Sequence, residues 1–267
     1  MYEIGSALLV FVLLLIGTGT GVVVRPLLPE EHKAHETVQL IQLVIGMLVT
    51  FAALVLGLMT ASAKTAFDTV GNDFRTYSAD LIQLNATLRE YGADANEVRQ
   101  LLRAYTAAAI ASTWPTEAHP PGDYYPKDIP VENNTDKLED TRLGDMLNLA
   151  GQKLRQMSAP DTFHQRLLDR SIEQFETIVQ ARWKLIEEAH STISQPFFKT
   201  LTFWLFVIFL SFGLIAPRNA LALVTITLGA LSIASAVYVI VDLDTPFTGP
   251  IVISSQPMRD ALEHLNR

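Results

Sequence analysis

"TVQLIQLVIGMLVTFAALVLGLMTASA", residues 37–63, carries no Asp, Glu, Lys or Arg, and "KTAFDTVGNDFRTYSADLIQLNATLREYG", residues 64–92, follows it without a proline or a turn cluster. The first stretch is long enough to cross a bilayer, since about 20 residues at 1.5 Å each span roughly 30 Å of hydrocarbon. In the second, Phe67, Val70, Phe74, Tyr77, Leu81, Leu84, Leu88 and Tyr91 recur at alternating spacings of three and four. That is a coiled-coil-like seam on one helix face. A membrane helix therefore continues into a polar compartment as one rod, and Gly92 is placed to end it as a C′ residue.

Three further stretches, 4–24, 200–217 and 219–241, are equally free of acidic and basic residues. The expected fold is all-α: four transmembrane helices with a cytoplasmic helical domain inserted between the second and third. The boundaries expected are 1–63 for helices one and two, 64–196 for the helical domain, 197–241 for helices three and four, and 242–267 for a cytoplasmic tail. The first stretch is too long for the apolar region of a signal peptide, and Glu3 stands where a positive charge is usual.

Lys and Arg flanking the spans orient them. Lys64, Arg75, Arg182, Lys184, Lys199 and Arg259 lie on the side of the polar block and both termini, against Arg25, Lys33 and Arg218 on the other. The tally places block and termini in the cytoplasm, although Glu3 and Arg25 around the first helix favour the reverse.

Within the polar block, Asp94 and Glu97 have the spacing of a capping box for a helix that runs to Trp114. Prolines crowd the following loop, a helix is expected over 141–158, and Asp161 is placed to cap the last one. Its inner side is expected to hold Phe163, Leu167, Phe175, Ile178, Leu185, Ile186, Ala189 and Ile193. Two of the cytoplasmic helices thus join membrane helices almost directly.

Reactive constellations are scarce. His32 and His35 have an i, i+3 spacing that suits a divalent metal, but such spacing is common and no second ligand pair accompanies it; a solvated loop is the better reading. There is no phosphate loop, nucleophile elbow or zincin helix, so no enzyme and no cofactor are expected. Cysteine is absent, which excludes disulfides and thiolate metal sites, and the net charge of −8 offers nucleic acid no footprint. No ionisable residue sits mid-span, which argues against a proton relay and leaves a passive pore open.

Small residues mark two membrane faces: Gly17 to Gly21 in helix one, and Gly46, Thr50, Ala53 and Gly57 in helix two. Close helix packing is the simpler account. The alternative is a pore wall, with Leu48, Phe51, Val55 and Leu58 opposite as a dewetting constriction. The residues singled out as pore-lining are Thr50, Phe51, Leu54 and Leu58.

Two aspartates, Asp242 and Asp244, close the last apolar run, although carboxylates sit badly at a helix C-terminus. Two apart, they cannot share a helical face, and Pro246 forces the chain out of the helix. Either both end the helix by bonding nearby N–H groups, or one docks against the cytoplasmic helices. Asp244, nearer the turn, is expected to matter more.

"GLMTASAKTAFD" (57–68), "LNATLREYG" (84–92) and "VDLDTPFTGPIVISSQPMRDALEHL" (241–265) resemble the bestrophin-like family of bacterial membrane proteins. The segment Asp242, Asp244, Pro246, Phe247 and Gly249 carries the likeness. Bestrophins themselves are pentameric anion channels with an apolar neck on the second membrane helix. Their Pro-Phe-Gly is matched here only with Thr248 inserted, and the acidic residues precede it. The resemblance implies a homo-oligomer, with a pentamer expected, in a bacterial inner membrane, passing small inorganic ions; a non-conducting structural or sensory assembly is the alternative.

Overall fold

The computed structural model describes residues 2–29, 35–121, 141–189, 195–217 and 219–267. Among them there are helices and turns but no strand: α1 Tyr2–Val24, α2 His35–Tyr91, α3 Asn96–Thr113, α4 Thr141–Gln156, α5 Thr162–Glu188, α6 Gln195–Ile215, α7 Ala220–Leu243 and α8 Gln256–Asn266. Four of these, α1, α2, α6 and α7, are long and apolar enough to cross a membrane. Contacts group the chain into two units, residues 1–67 with 191–251, and 68–190 with 252–267. Helix α2 contributes to both.

The first unit is built on α1, α6, α7 and the early part of α2. Val10 and Leu14 pack with Ile45 and Ala52, with Leu201, Leu205 and Ile208, and with Ala230 and Val237. Glycine decides how near α1 comes to α6. A Cβ on Gly21 would collide with the Leu210 carbonyl, and one on Gly213 with the Thr18 carbonyl. Small residues allow this backbone-to-backbone approach, which supplies packing where lipid offers no hydrophobic drive. At the end of α6, Arg25 donates from Nη1 to the Ala216 carbonyl at 2.5 Å, a cation set at the negative end of a helix.

The second unit forms around the predicted seam. Val70, Phe74, Tyr77, Leu81, Leu84, Leu88 and Tyr91 are all buried, and only Phe67, at the start, is half-buried. Burying each such side chain stabilises by roughly 1.5–3 kcal/mol, so the seam is a large part of this unit's core. Gly92 ends the rod with φ +106, a conformation that costs a side-chain-bearing residue dearly.

Two expectations about caps part company. Asp161 caps α5, accepting from the Phe163 and His164 amides at 2.9 Å. Asp94 and Glu97 make no capping box: Ala93–Ala95 form a 3₁₀ turn, and Ala95, the N-cap of α3, offers no side-chain acceptor. On α5, Leu167, Phe175, Ile178, Leu185 and Ile186 face inward as expected, Ala189 is half-buried, and Phe163 is 55% exposed. Phe163 sits in the first turn, where its ring meets His164 rather than the core. Ile193 lies outside the described residues.

The tail is more than a tail. Helix α8 buries Met258, Ala261, Leu262 and Leu265. Its last carbonyls are taken by neighbours: Leu265 accepts from Arg103 Nε and Nη2 at 3.1 and 2.6 Å, and His264 from Asn85 at 3.0 Å. At its start, Glu117 accepts from Ser255 Oγ at 2.5 Å and from Arg259 Nη2 at 2.9 Å. Trp114 Nε1 donates to the Ile253 carbonyl at 2.7 Å.

Candidate functional site

Helix α2 divides into two faces within the first unit. Ile45, Ala52 and Ala63 are buried, with Ile41, Leu48, Val55, Leu56 and Met59 half-buried beside them at spacings of three and four. The other face holds Thr50, Phe51, Leu54 and Leu58, all exposed; Leu54 and Leu58 show 60% and 62% of their surface. Leu48 and Val55 therefore part from Phe51 and Leu58, with which they share a sequence face, because the inner stripe claims them. Phe51 also leans on Trp204 of α6, ring centroids 6.4 Å apart.

The two sets of small residues differ in role. On α1, Gly17 and Gly21 pack against α6. On α2, nothing lies within 4 Å of a Cβ built on Gly46 or Gly57, and Thr50 and Ala53 are exposed. Thr50 returns its hydroxyl to the Gly46 carbonyl at 2.9 Å, which leaves its methyl and oxygen as a weakly polar surface. Close packing within the chain accounts for Gly17 and Gly21 of α1, but not for Gly19 or for the set on α2.

The end of α7 stands beside this helix. Ile240 and Leu243 pack with Ala63 and with half-buried Leu56, Met59 and Phe67. Asp242 points the opposite way to solvent expectations: it is fully buried, and its Oδ2 accepts the Ile251 amide at 3.0 Å. The chain returns to it through short turns, Thr245 N to the Asp242 carbonyl at 3.2 Å and Thr248 N to the Thr245 carbonyl at 3.1 Å. Gly249 has φ +90, and a Cβ there would strike Asp242 Oδ1. Pro246 is buried and Phe247 half-buried within the turn. Asp244 is the C-cap residue, half-buried and still helical in backbone. Asp242 is thus the more deeply buried of the two, whereas the sequence reading favours Asp244. An acceptor buried at a helix C-terminus is tolerable because the chain itself brings back a donor.

Among the described residues no group of three or more His, Asp or Glu could hold a metal. His32 lies outside those residues, as does the side chain of His35. His164 is occupied by Asp161 at 2.9 Å and by the edge of Tyr91.

Solved structures share this fold. A variant of a bacterial bestrophin homolog from Klebsiella pneumoniae, with one tryptophan changed to alanine, superposes with a TM-score of 0.65 at 17% identity, over 98% of each chain. An isoleucine-to-threonine variant of that homolog gives 0.60 at 15% identity over the whole of both chains. A structure described as a membrane protein, with a proline changed to alanine, gives 0.63 at 16% identity, over 99% of this chain and 97% of the other. No curated protein sequence gives a match. The model of the Bestrophin-like domain matches residues 11–258, nearly the full length that carries the four apolar helices, the seam and the Asp242 turn, and the chain belongs to that family.

Proposed function

We propose that the protein is an oligomeric, passive ion channel that prefers anions, with α2 lining the pore. The observation that carries this reading is the exposed face of α2. Thr50, Phe51, Leu54 and Leu58 stand exposed on a helix whose other side is packed, with open space over Gly46 and Gly57. A ring of such faces around a symmetry axis makes a wall of apolar side chains with weakly polar intervals. Such a neck gates by wetting and drying, and needs no fixed charge at its centre.

Membership in the bestrophin-like family supports a pentamer, by likeness to bestrophins, and supports small inorganic anions as the permeant species. The Lys and Arg tally supports an inner-membrane orientation with residues 64–196 and both termini in the cytoplasm. The boundaries of that insert, and the assignment of 242–267 as cytoplasmic, belong to the same reading.

An image of the purified oligomer down its axis tests it. A continuous central opening walled by Thr50, Phe51, Leu54 and Leu58 supports the channel. A closed centre, or one walled by α1 or α7, contradicts it and favours a structural or sensory assembly.

A further inference from the structure

Within the first unit, the ends of α1 and α6 and the start of α7 enclose a groove of about 330 Å³. Arg25, directly after α1, and Asn219, the N-cap of α7, line it where the helices end. Thr18 and Ile226 line it two turns deeper, roughly 10 Å along the helices. Val22 and Leu223, also in the lining, are exposed, so the groove opens sideways between α1 and α7. The helices around it are long and apolar enough to cross a membrane, and at that depth an open side meets acyl chains rather than water.

Among the described residues that line it, Arg25 alone is charged. It is half-buried, and its Nη1 donates to the Ala216 carbonyl, which fixes the guanidinium beside the end of α6. A guanidinium is a planar fork of N–H donors whose shape matches the oxygens of a phosphate. Asn219 and Ala220 bring the first turn of α7 to the same place, and the positive end of that helix favours an anion too. A larger groove of about 800 Å³, between α2, α6 and α7, shares Ala216, Pro217 and Asn219 with this one. Among the described residues its lining holds no charge, so it offers an anion no comparable hold.

We propose that the groove at Arg25 binds a membrane phospholipid, its headgroup phosphate on the guanidinium and one acyl chain lying between α1 and α7 toward Thr18 and Ile226. Charge complementarity argues for it. Cation and apolar wall succeed each other along one groove, in the order in which a phospholipid presents phosphate and chain. The cation sits where the spans end, at the level of headgroups. A soluble phosphate would leave the apolar wall uncovered, and an uncharged lipid would make no use of the cation. Because Arg25 is bonded to the end of α6 while the chain lies against α1 and α7, the lipid ties three helices at one end of the span. This role does not depend on whether the protein conducts.

The full-length protein, stripped of lipid in detergent, is titrated with phosphatidylglycerol, with diacylglycerol of the same chains, and with soluble glycerol phosphate. Native mass spectrometry reads the binding, and thermal unfolding reads its effect. Phosphatidylglycerol is expected to bind saturably and to raise the melting temperature by several degrees, and the other two to do neither at the same concentration. Arg25→Gln keeps an N–H for the Ala216 carbonyl and is expected to weaken phosphatidylglycerol about tenfold, the loss of one charge-assisted bond. Leu223→Trp, at an exposed position, crowds the acyl chain; it is expected to weaken binding as well, and decides the matter where Arg25→Gln does not fold. An equal response to diacylglycerol or to glycerol phosphate overturns the proposal, as does phosphatidylglycerol binding that either folded variant leaves unchanged. An image of the oligomer with a helix of a second copy seated in the groove overturns it too.

Discussion

The Ile251 amide donates to the Oδ2 of Asp242, nine residues earlier, at 3.0 Å, and the turn that makes this possible passes through Gly249 at φ +90. A buried side chain near the end of α7 therefore fixes the course of the chain that leaves it. Asp242→Ala is expected to lower the stability of the purified assembly by about 1.5–3 kcal/mol, the usual worth of a hydrogen bond to a charged group. Asp244→Ala, at a half-buried position, is expected to cost far less. Equal shifts in thermal unfolding would return Asp242 to a mere helix stop.

Gly249→Ala tests the same turn from the other side. It meets both the left-handed backbone and the Asp242 carboxyl, so it is expected to destabilise by at least about 1–3 kcal/mol. Gly57→Ala, with open space around it in the chain, serves as the control. A Gly249→Ala variant as stable as the control would show that the turn relaxes easily.

Leu81 and Leu84 are fully buried on the α2 seam. Introducing Asp at either places a charge among apolar neighbours and is expected to unfold the second unit. Circular dichroism and size-exclusion chromatography of the detergent-solubilised variants check this. Unchanged melting and unchanged mass would mean that the seam is dispensable.

Asp73, Lys184 and Glu188 give the second unit a pH signature. Lys184 lies 2.9 Å from Asp73 and 3.7 Å from Glu188. Burial acts to raise both carboxyls. At Asp73 the hydrogen bonds from Glu188 and Lys184 outweigh it, so its pKa falls; at Glu188 burial and Asp73 together push the pKa up. A lowered Asp73 contributes stability above its unfolded pKa and loses it as pH falls through the folded value. A raised Glu188 contributes below its unfolded pKa and loses it as pH rises through the folded value. Glu188→Gln is therefore expected to remove the loss on the neutral side and leave the acid loss in place. Melting temperatures from pH 4 to pH 8, the range bracketing ordinary carboxyls, decide it; a variant that tracks wild type throughout would dissolve the pair.

The repetitive parts of the fold were legible because repetition writes itself into residue spacing. The Phe67-to-Tyr91 seam, the Gly92 stop and the Asp161 cap each depend on neighbours in sequence. Helix α8 was missed as an element, although Met258, Ala261, Leu262 and Leu265 have helical spacing, because its 11 residues are too few to stand without α3. The burial of Asp242 was not legible at all. It depends on a donor nine residues on that arrives only when the turn closes. The face of α2 was half legible: small residues marked it, but only the structure separates Gly17 and Gly21, packed on α6, from Gly46 and Gly57, open on the chain's surface.

A topology test addresses orientation. A reporter fused after Arg267 is expected to behave as cytoplasmic, and one placed within 26–36 as external. The opposite pattern would contradict the orientation drawn from Lys and Arg.

Conduction through α2 is the central claim, and halide efflux from liposomes reconstituted with the purified protein measures it most directly. Phe51, Leu54 and Leu58 follow one another at helical-turn spacing on the exposed face. Replacing all three with Ala widens an apolar neck and makes it easier to wet. The account predicts halide efflux in wild type and faster efflux in the triple variant, with the oligomer intact in both. Liposomes that hold halide as tightly as protein-free ones, for wild type and variant alike, would contradict it.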